Sequence, residues 1–254
     1  MLSEQHIQPY LTAPINEPLC EIFRQYGKKV CLAKNDYVLR KGTIKSFVFV
    51  ESGLVGRIRE MPLISKQIHL EIAPPKRIAN FMNFFSAGKA NISIMALRKS
   101  EIYITPFDVI YGIMKENYDL NKQFEQLYGS NMETALKSSY SNFVLPCDLR
   151  LLKLFKVLAH HAGKQSDENG WILLPYKLTR EEYSQIIFAS LLTVDNTLQN
   201  WKKENLYQKK KEGSFIHTKL LEKNITAALF EANKILHSNQ RIKPTKLGLR
   251  HKSQ

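Results

Sequence analysis

The spacing of apolar and polar positions changes character twice along the chain. From Lys29 to Pro106 the apolar residues come in short β-branched or aromatic runs: VCLAKNDYVLRKG, SFVFVESGLVGRIRE, KQIHLEIAPP and NISIMALRKSEIYITP. Asp36, Gly42, Ser52-Gly53, Pro62, Pro74-Pro75 and Gly88 punctuate them. Strands this frequent, with no helical period between them, predict a sandwich or jelly roll. Ahead of the roll, Leu19, Ile22 and Phe23 fit one short amphipathic helix that Gly27 ends.

After Pro106 the period lengthens to three or four. Val109, Ile110 and Ile113 mark a short helix from Phe107 to Asn117. Leu120, Phe124, Leu127, Tyr128, Asn131, Ala135, Ser138 and Asn142 mark a longer one from Asp119 to Phe143. An Asn in a helical seam can set register, so this stripe reads as a pairing face; the alternative is a helix packed only on its own roll. Leu145-Pro146-Cys147 breaks the helix and forms the expected hinge. A helix capped by Asp148 then runs to about His161, burying Leu151, Leu154, Phe155 and Leu158. His160 and His161 would complement the helix dipole at its C-terminus. GKQSDENG reads as a loop and Trp171 to Pro175 as a strand.

Thr179 with Glu182 is a capping-box pattern, and Tyr183, Ile186 and Ile187 supply that helix's apolar face. Phe188-Ala189-Ser190 interrupts it. Ser190 or Thr193 can cap a second helix, in which Val194, Leu198 and Trp201 face a core and polar, then basic, residues cover the other faces. Leu206 to Lys211 and Ser214 to His217 can be two strands turning at Glu212-Gly213. Two short helices, a tight turn and a basic hairpin are the parts of a winged helix-turn-helix.

The order LTREEYSQII-x-AS-x-x-TV-x-x-x-L-x-x-x-KKENL, followed by a basic hairpin, resembles the C-terminal module of the Crp/Fnr transcription regulators, and KKENLYQKKK looks most like their halorespiration branch, whose members respond to chlorinated aromatic acids. NDYVLRKG and SFVFVESGLVGRI resemble the start of that family's cyclic-nucleotide-binding-like β-roll. The resemblance implies an α+β chain with four parts. Residues 1–118 are an effector-sensing β-roll (jelly roll) with flanking helices, and 119–146 a dimerisation helix and hinge. Residues 147–219 are a winged helix-turn-helix, and 220–254 a helical extension with a basic tail. It also implies double-stranded DNA, a second copy of the chain, a small effector and RNA polymerase as partners.

The departures from the family pattern are specific. Phe188 stands where relatives have Gly in the turn, and Leu191, Leu192 and Asn196 stand at positions of their base-reading Arg-Glu pair and later Arg. Leucine cannot make the two hydrogen bonds by which arginine reads guanine. The base-facing residues expected here are Ser190, Thr193, Asn196 and Gln199. Thr179, Arg180, Lys202, Lys203, Lys209, Lys210 and Lys211 are expected on phosphates. The opposing reading is a degenerate scaffold whose module binds a protein, favoured by Leu191 and Leu192.

In the roll's ligand segment, Ala79-Asn80 takes the place of the family's glycine-glutamate pair, and no arginine lies between Arg77 and Arg98. A buried phosphate without a cation is costly, so cyclic AMP is not the expected effector. Asn80, Lys89 and Asn91 can bind a small carboxylate or phenolate between Phe81, Met82, Phe84 and Phe85; the alternative is that these aromatics are core. Tyr128 and Asn131 can meet the effector where, in the family, the long helix crosses the mouth of the roll.

Charge sharpens this picture. The 254 residues carry a net charge of +14. From Cys147 onward there are 19 Lys/Arg against 10 Asp/Glu, compared with 18 against 13 before it. The excess sits with the helix-turn-helix, which favours a polyanion partner over general solubility charge. The tail from Arg241 reads as disordered, either touching phosphates or merely solvated.

Three cysteines without zinc spacing, Cys20, Cys31 and Cys147, are too few for a four-cysteine cluster and read as reduced thiols in a cytoplasm, a redox switch being the alternative. No metal or other cofactor is expected. His69 and Glu71 share one strand face, as cupin metal ligands do, but the histidine partners such a site needs are absent from the strand-rich part; no enzyme activity is expected. No signal peptide or membrane span is read.

Overall fold

The computed structural model describes residues 8–40, 42, 44–61, 66–85, 92–163 and 166–223. The chain divides into two compact units, Met1–Leu221 and Glu222–Gln254, and the first carries the architecture below. The predicted helix from Leu220 to Ser238 and the basic tail lie almost wholly outside the described residues.

Helix α1, Glu17–Tyr26, starts at Asn16, whose side chain accepts from the Leu19 amide, and ends at Gly27 as expected. A Cβ at Gly27 would fall 2.4 Å from the Phe23 carbonyl, so the chain can turn there only without one. The roll follows as β1 (Lys28–Leu32), β2 (Tyr37–Leu39), β3 (Ser46–Ser52), β4 (Val55–Met61), β5 (Lys66–Ala73), β6 (Arg77–Ile78), β7 (Ser93–Ala96) and β8 (Ser100–Pro106). They form two antiparallel sheets, ordered β1-β8-β3-β6 and β2-β7-β4-β5. The two-residue β6 and a 3-10 turn at Phe81–Phe85 were not legible as separate elements; two residues give no period to read.

Strand β3 explains why SFVFV reads as a continuous apolar run. Val48 and Val50 face the core between the sheets with Val55, Ile94 and Ile102. Phe47 and Phe49 face a second core with Leu19, Phe23, Phe81, Phe124 and Leu127. The Phe47 ring lies 4.6 Å from Phe107, 5.0 Å from Phe84 and 5.9 Å from Phe81 and Phe124. Phe47→Ala would forfeit contacts on both flanks, in the class of core truncations that cost about 3–5 kcal/mol.

Helices α2 (Phe107–Glu116) and α3 (Tyr118–Val144) follow the roll. The predicted α3 stripe is buried or half-buried, but against its own chain. Leu120, Phe124 and Leu127 enter the aromatic core. Asn131 accepts from the Ala13 amide at 3.0 Å and Ser138 Oγ from the Tyr10 amide at 2.7 Å. The polar half of the stripe thus satisfies the backbone of the segment before α1, whose Tyr10 and Thr12 also pair with Ile72 of β5. Because buried amides must be paired, Asn and Ser at these positions fit this segment without any second helix.

Helix α4, Cys147–His161, begins at Pro146; Asp148 lies in its first turn rather than at the cap. Strands β9 (Trp171–Leu173), β10 (Tyr207–Lys209) and β11 (Ser214–His217) form a small sheet ordered β10-β11-β9, and α5 (Arg180–Ile186) and α6 (Leu191–Lys203) lie between β9 and β10 in sequence. Phe155 holds this module together, its ring 5.2 Å from Tyr183, 5.7 Å from Trp201 and 6.2 Å from Tyr207. Helix α7 is Thr218–Glu222.

His161 does more than complement a dipole. Its Nε2 lies 2.8 Å from the Tyr176 hydroxyl and its Nδ1 3.4 Å from Arg77. Burial first, then Arg77 and His160, push its pKa from 6.5 down to about 4. The folded ring therefore stays neutral where the unfolded ring is protonated, so the unfolded chain binds more protons between those values. Stability from this group falls as pH drops from about 6.5 towards 4. Glu71, raised by burial, acts in the opposite sense, so the comparison is with a variant: His161→Gln should show a smaller change in urea midpoint between pH 7 and pH 5 than the wild type.

Candidate nucleic-acid interface

The capping box of α5 is complete: the Thr179 side chain accepts from the Glu182 amide, and the Glu182 carboxylate accepts from the Thr179 amide at 2.8 Å. Ser190, not Thr193, caps α6; its Oγ accepts from the Thr193 amide at 3.1 Å and lies 2.6 Å from Thr193 Oγ1. Val194, Leu198 and Trp201 are buried, as their spacing predicts. Thr193, Asn196, Gln199, Asn200 and Lys203 are exposed at three- and four-residue intervals on one side of α6. Such a row suits the floor of a major groove.

The cations are less uniform than their sequence suggests. Arg180 is paired with Asp195 at 3.1 Å to both oxygens, which ties α5 to α6. The Lys209 ammonium turns back to the Leu178 carbonyl at 3.4 Å and Ser214 Oγ at 3.1 Å, and burial lowers its pKa. Lys210 and Lys211 stand in the turn, closed by the Lys210 amide on the Gly213 carbonyl at 2.9 Å. The Lys210 ammonium lies 4.9 Å from the Phe215 ring centre. Lys202 and Lys203, in the last turn of α6, are exposed. Lys202, Lys203, Lys210 and Lys211 are thus freer for phosphates than Arg180 or Lys209.

Phe188, in the turn, has φ +50°, a conformation that glycine adopts at no cost. Arg150 of α4 holds that turn by donating to the Ile187 carbonyl at 2.9 Å and the Phe188 carbonyl at 2.8 Å.

The module is fastened to the roll by Arg98, between β7 and β8. It makes two parallel bonds to Glu182, each 2.7 Å, and donates to the Lys177 carbonyl at 2.7 Å and to the carbonyls of Leu97 and Tyr176. Lys34 lies 3.7 Å from the same carboxylate. Burial pushes the Glu182 carboxyl up, but the bonds from Arg98 and the Thr179 backbone outweigh it and hold the group below the usual range. Arg98 looked unremarkable in the sequence, where its only signal was being the next arginine after Arg77.

The proposed effector residues are not gathered into a ligand site. Asn80 is fully buried; it accepts from the Val48 amide at 2.9 Å and donates to the Ser46 carbonyl at 2.7 Å. Asn131 accepts from Ala13 and donates to the Leu127 carbonyl at 2.9 Å. Both carboxamides are spent on the fold. Tyr128 packs on Phe85, ring centres 4.5 Å apart; Phe81 and Phe84 belong to the aromatic core, while Phe85 is 46% exposed. Lys89 and Asn91 lie outside the described residues. A cavity does exist elsewhere. It measures about 510 Å³ and is lined by Arg57 of β4, Ile68 to Glu71 of β5, the second half of α3, and Gln185 and Phe188 of the winged module.

No family model and no curated protein matches the sequence. Solved structures do match. FixK2 from Bradyrhizobium japonicum superposes with TM-score 0.64 at 9% identity, covering 81% of this chain and 96% of its own. The c-di-GMP responsive regulator CLP from Xanthomonas campestris gives 0.66 at 12%, covering 80% and 99%. CprK complexed with OCPA gives 0.61 at 18%, covering 84% and 96%. The fold is that of the Crp/Fnr transcription regulators. Identities this low establish the Crp/Fnr fold and no branch within it. Among the described residues no helix is long and apolar enough to cross a membrane, and no cluster of three His, Cys, Asp or Glu residues could hold a metal ion.

Proposed function

We propose that this chain is a homodimeric, sequence-specific DNA-binding transcription regulator controlled by a small effector other than cyclic AMP, without enzymatic activity and resident in the cytoplasm. The observation that carries the reading is the exposed row Thr193, Asn196, Gln199 and Lys203 on α6, flanked by the lysines of the wing. Asn and Gln pair with adenine, and Leu192, 70% exposed at the head of the helix, suits a thymine methyl. An A·T-rich half-site follows.

Selection of bound duplexes from a random palindromic library tests this. Asn196→Ala should alter base preference at one position per half-site. Lys211→Ala should weaken binding on all sequences alike and flatten the log–log salt slope by about 1 per half-site. Failure to retain any duplex in low salt would overturn the reading.

A second copy fits the face of α3 that its own chain leaves bare. Met132, Leu136, Tyr140 and Phe143 lie exposed along one side, with Leu136 63%, Tyr140 61% and Phe143 84% exposed. Gly129 continues the row, with open space where a Cβ would sit. An apolar row opposite the face that packs on its own chain is what a helix pair buries.

Exposed Leu191 and Leu192 favour the second reading, a regulator relative whose winged module grips a protein. A stable protein complex formed without any salt-sensitive DNA binding would select it.

A further inference from the structure

The cavity between β5, α3 and the winged module contains groups that the fold leaves unsatisfied. Glu71 is 2% exposed. Its Oε2 accepts from Arg57 at 2.8 Å, while its Oε1 has no partner, nor has Arg57 Nε. Buried polar atoms almost always find partners, and an unmet one beside an open space is an invitation to a ligand. His69, also buried, lines the same wall. The walls are otherwise largely apolar, and Phe143 and Phe188 bring two exposed rings to the cavity.

We propose that this cavity is a binding site for an uncharged, mostly apolar ring compound carrying one hydrogen-bond donor, which Glu71 Oε1 accepts. The volume, about 510 Å³, is in the range of small-molecule sites. Charge selects against ions. Arg57 is already engaged by Glu71 at 2.8 Å, and burial lowers the His69 pKa and raises that of Glu71, so an ion would enter with no free counter-charge to meet it. The site lies at β5, the edge strand of the second sheet, whereas the cores of the roll are filled with side chains.

Phe188 gives the site its consequence. A ring at φ +50° in a helix-turn-helix turn is strained, and it places an aromatic group at the cavity directly before the helix that presents Asn196. A ligand beneath Phe188 would touch roll, long helix and reading module at once. This regulatory role rests on the DNA-binding reading above; the binding site itself does not.

The probe is indole, with benzofuran as the same shape lacking an N–H and indole-2-carboxylate as the anion. Titration calorimetry on the full chain without DNA should show indole binding at or below about 1 mM, and about tenfold weaker binding of the other two. Glu71→Gln should weaken indole about tenfold and leave benzofuran unchanged. Should that variant not fold, Phe188→Gly, which relieves strain, should fold and weaken both neutral rings several-fold. Equal affinity for all three probes, no effect of the variants, or no indole binding to about 1 mM would overturn the site. Since no DNA is present, failure of the DNA-binding reading would leave this result standing.

Discussion

Arg98→Ala should cost about 3 kcal/mol of stability and loosen the winged module from the roll. The Arg98–Glu182 pair is largely buried, with side chains 19% and 10% exposed. Removing one partner leaves an inward carboxylate with only Lys34, at 3.7 Å, for compensation, and truncating one member of a buried pair typically costs about 3–5 kcal/mol. The same change frees the Tyr176 and Lys177 carbonyls that Arg98 holds. Glu182 also closes the capping box, so the loss should be felt at the start of α5. Hydrogen exchange should quicken across Thr179 to Ile186 before it does in β3 and β8. A uniform change over the whole chain, or a loss of under about 1 kcal/mol, would show that Arg98 is not the fastening. Glu182→Gln separates the charge from the cap: its carboxamide can still accept from Thr179, so it should loosen the module while sparing the first turn of the helix.

Leu136→Glu combined with Tyr140→Glu should convert a dimer to monomers and lower affinity for a palindromic duplex by at least about 100-fold, while leaving the fold intact. Both side chains are more than half exposed within one copy, so the charges cost that copy little. Across a twofold axis the same charges would face one another in an apolar seam. Two modules held together bind two half-sites with the second contact intramolecular, which multiplies affinity by about 10²–10⁴. Ultracentrifugation gives the oligomeric state and a filter assay on the selected duplex gives the affinity. A double variant that stays dimeric would move the pairing face elsewhere.

The parts of the molecule legible in sequence were those with local rules. Thr179 and Glu182 close a turn on themselves, and Val194, Leu198 and Trp201 fall on one side of α6 by arithmetic alone. The apolar run in SFVFV implied a strand without saying that two different cores claim its two faces. The α3 stripe was legible, but the choice between a second copy and its own roll was not, because a sequence shows that Asn131 and Ser138 need satisfying but not that the backbone at Ala13 and Tyr10 does it. Lysines in a wing look alike until folding turns the Lys209 ammonium onto a carbonyl. The cavity was out of reach for the same reason. His69 and Glu71 could be placed on one strand face, yet Arg57 across the hairpin and Phe188 more than a hundred residues away meet them only in three dimensions.

The segment threaded between β5 and α3 has a consequence for anyone shortening the chain. Leu11 lies along Ile72 in a parallel bridge, and amide–carbonyl bonds join Tyr10 and Thr12 to that same strand. Trimming beyond Thr12 would strip an outer strand of its cover and leave its amides and carbonyls bare. Such a border recruits strands from other molecules. Clipped preparations should precipitate or form ordered aggregates, and their insolubility would reflect a lost selvedge, not a failed core.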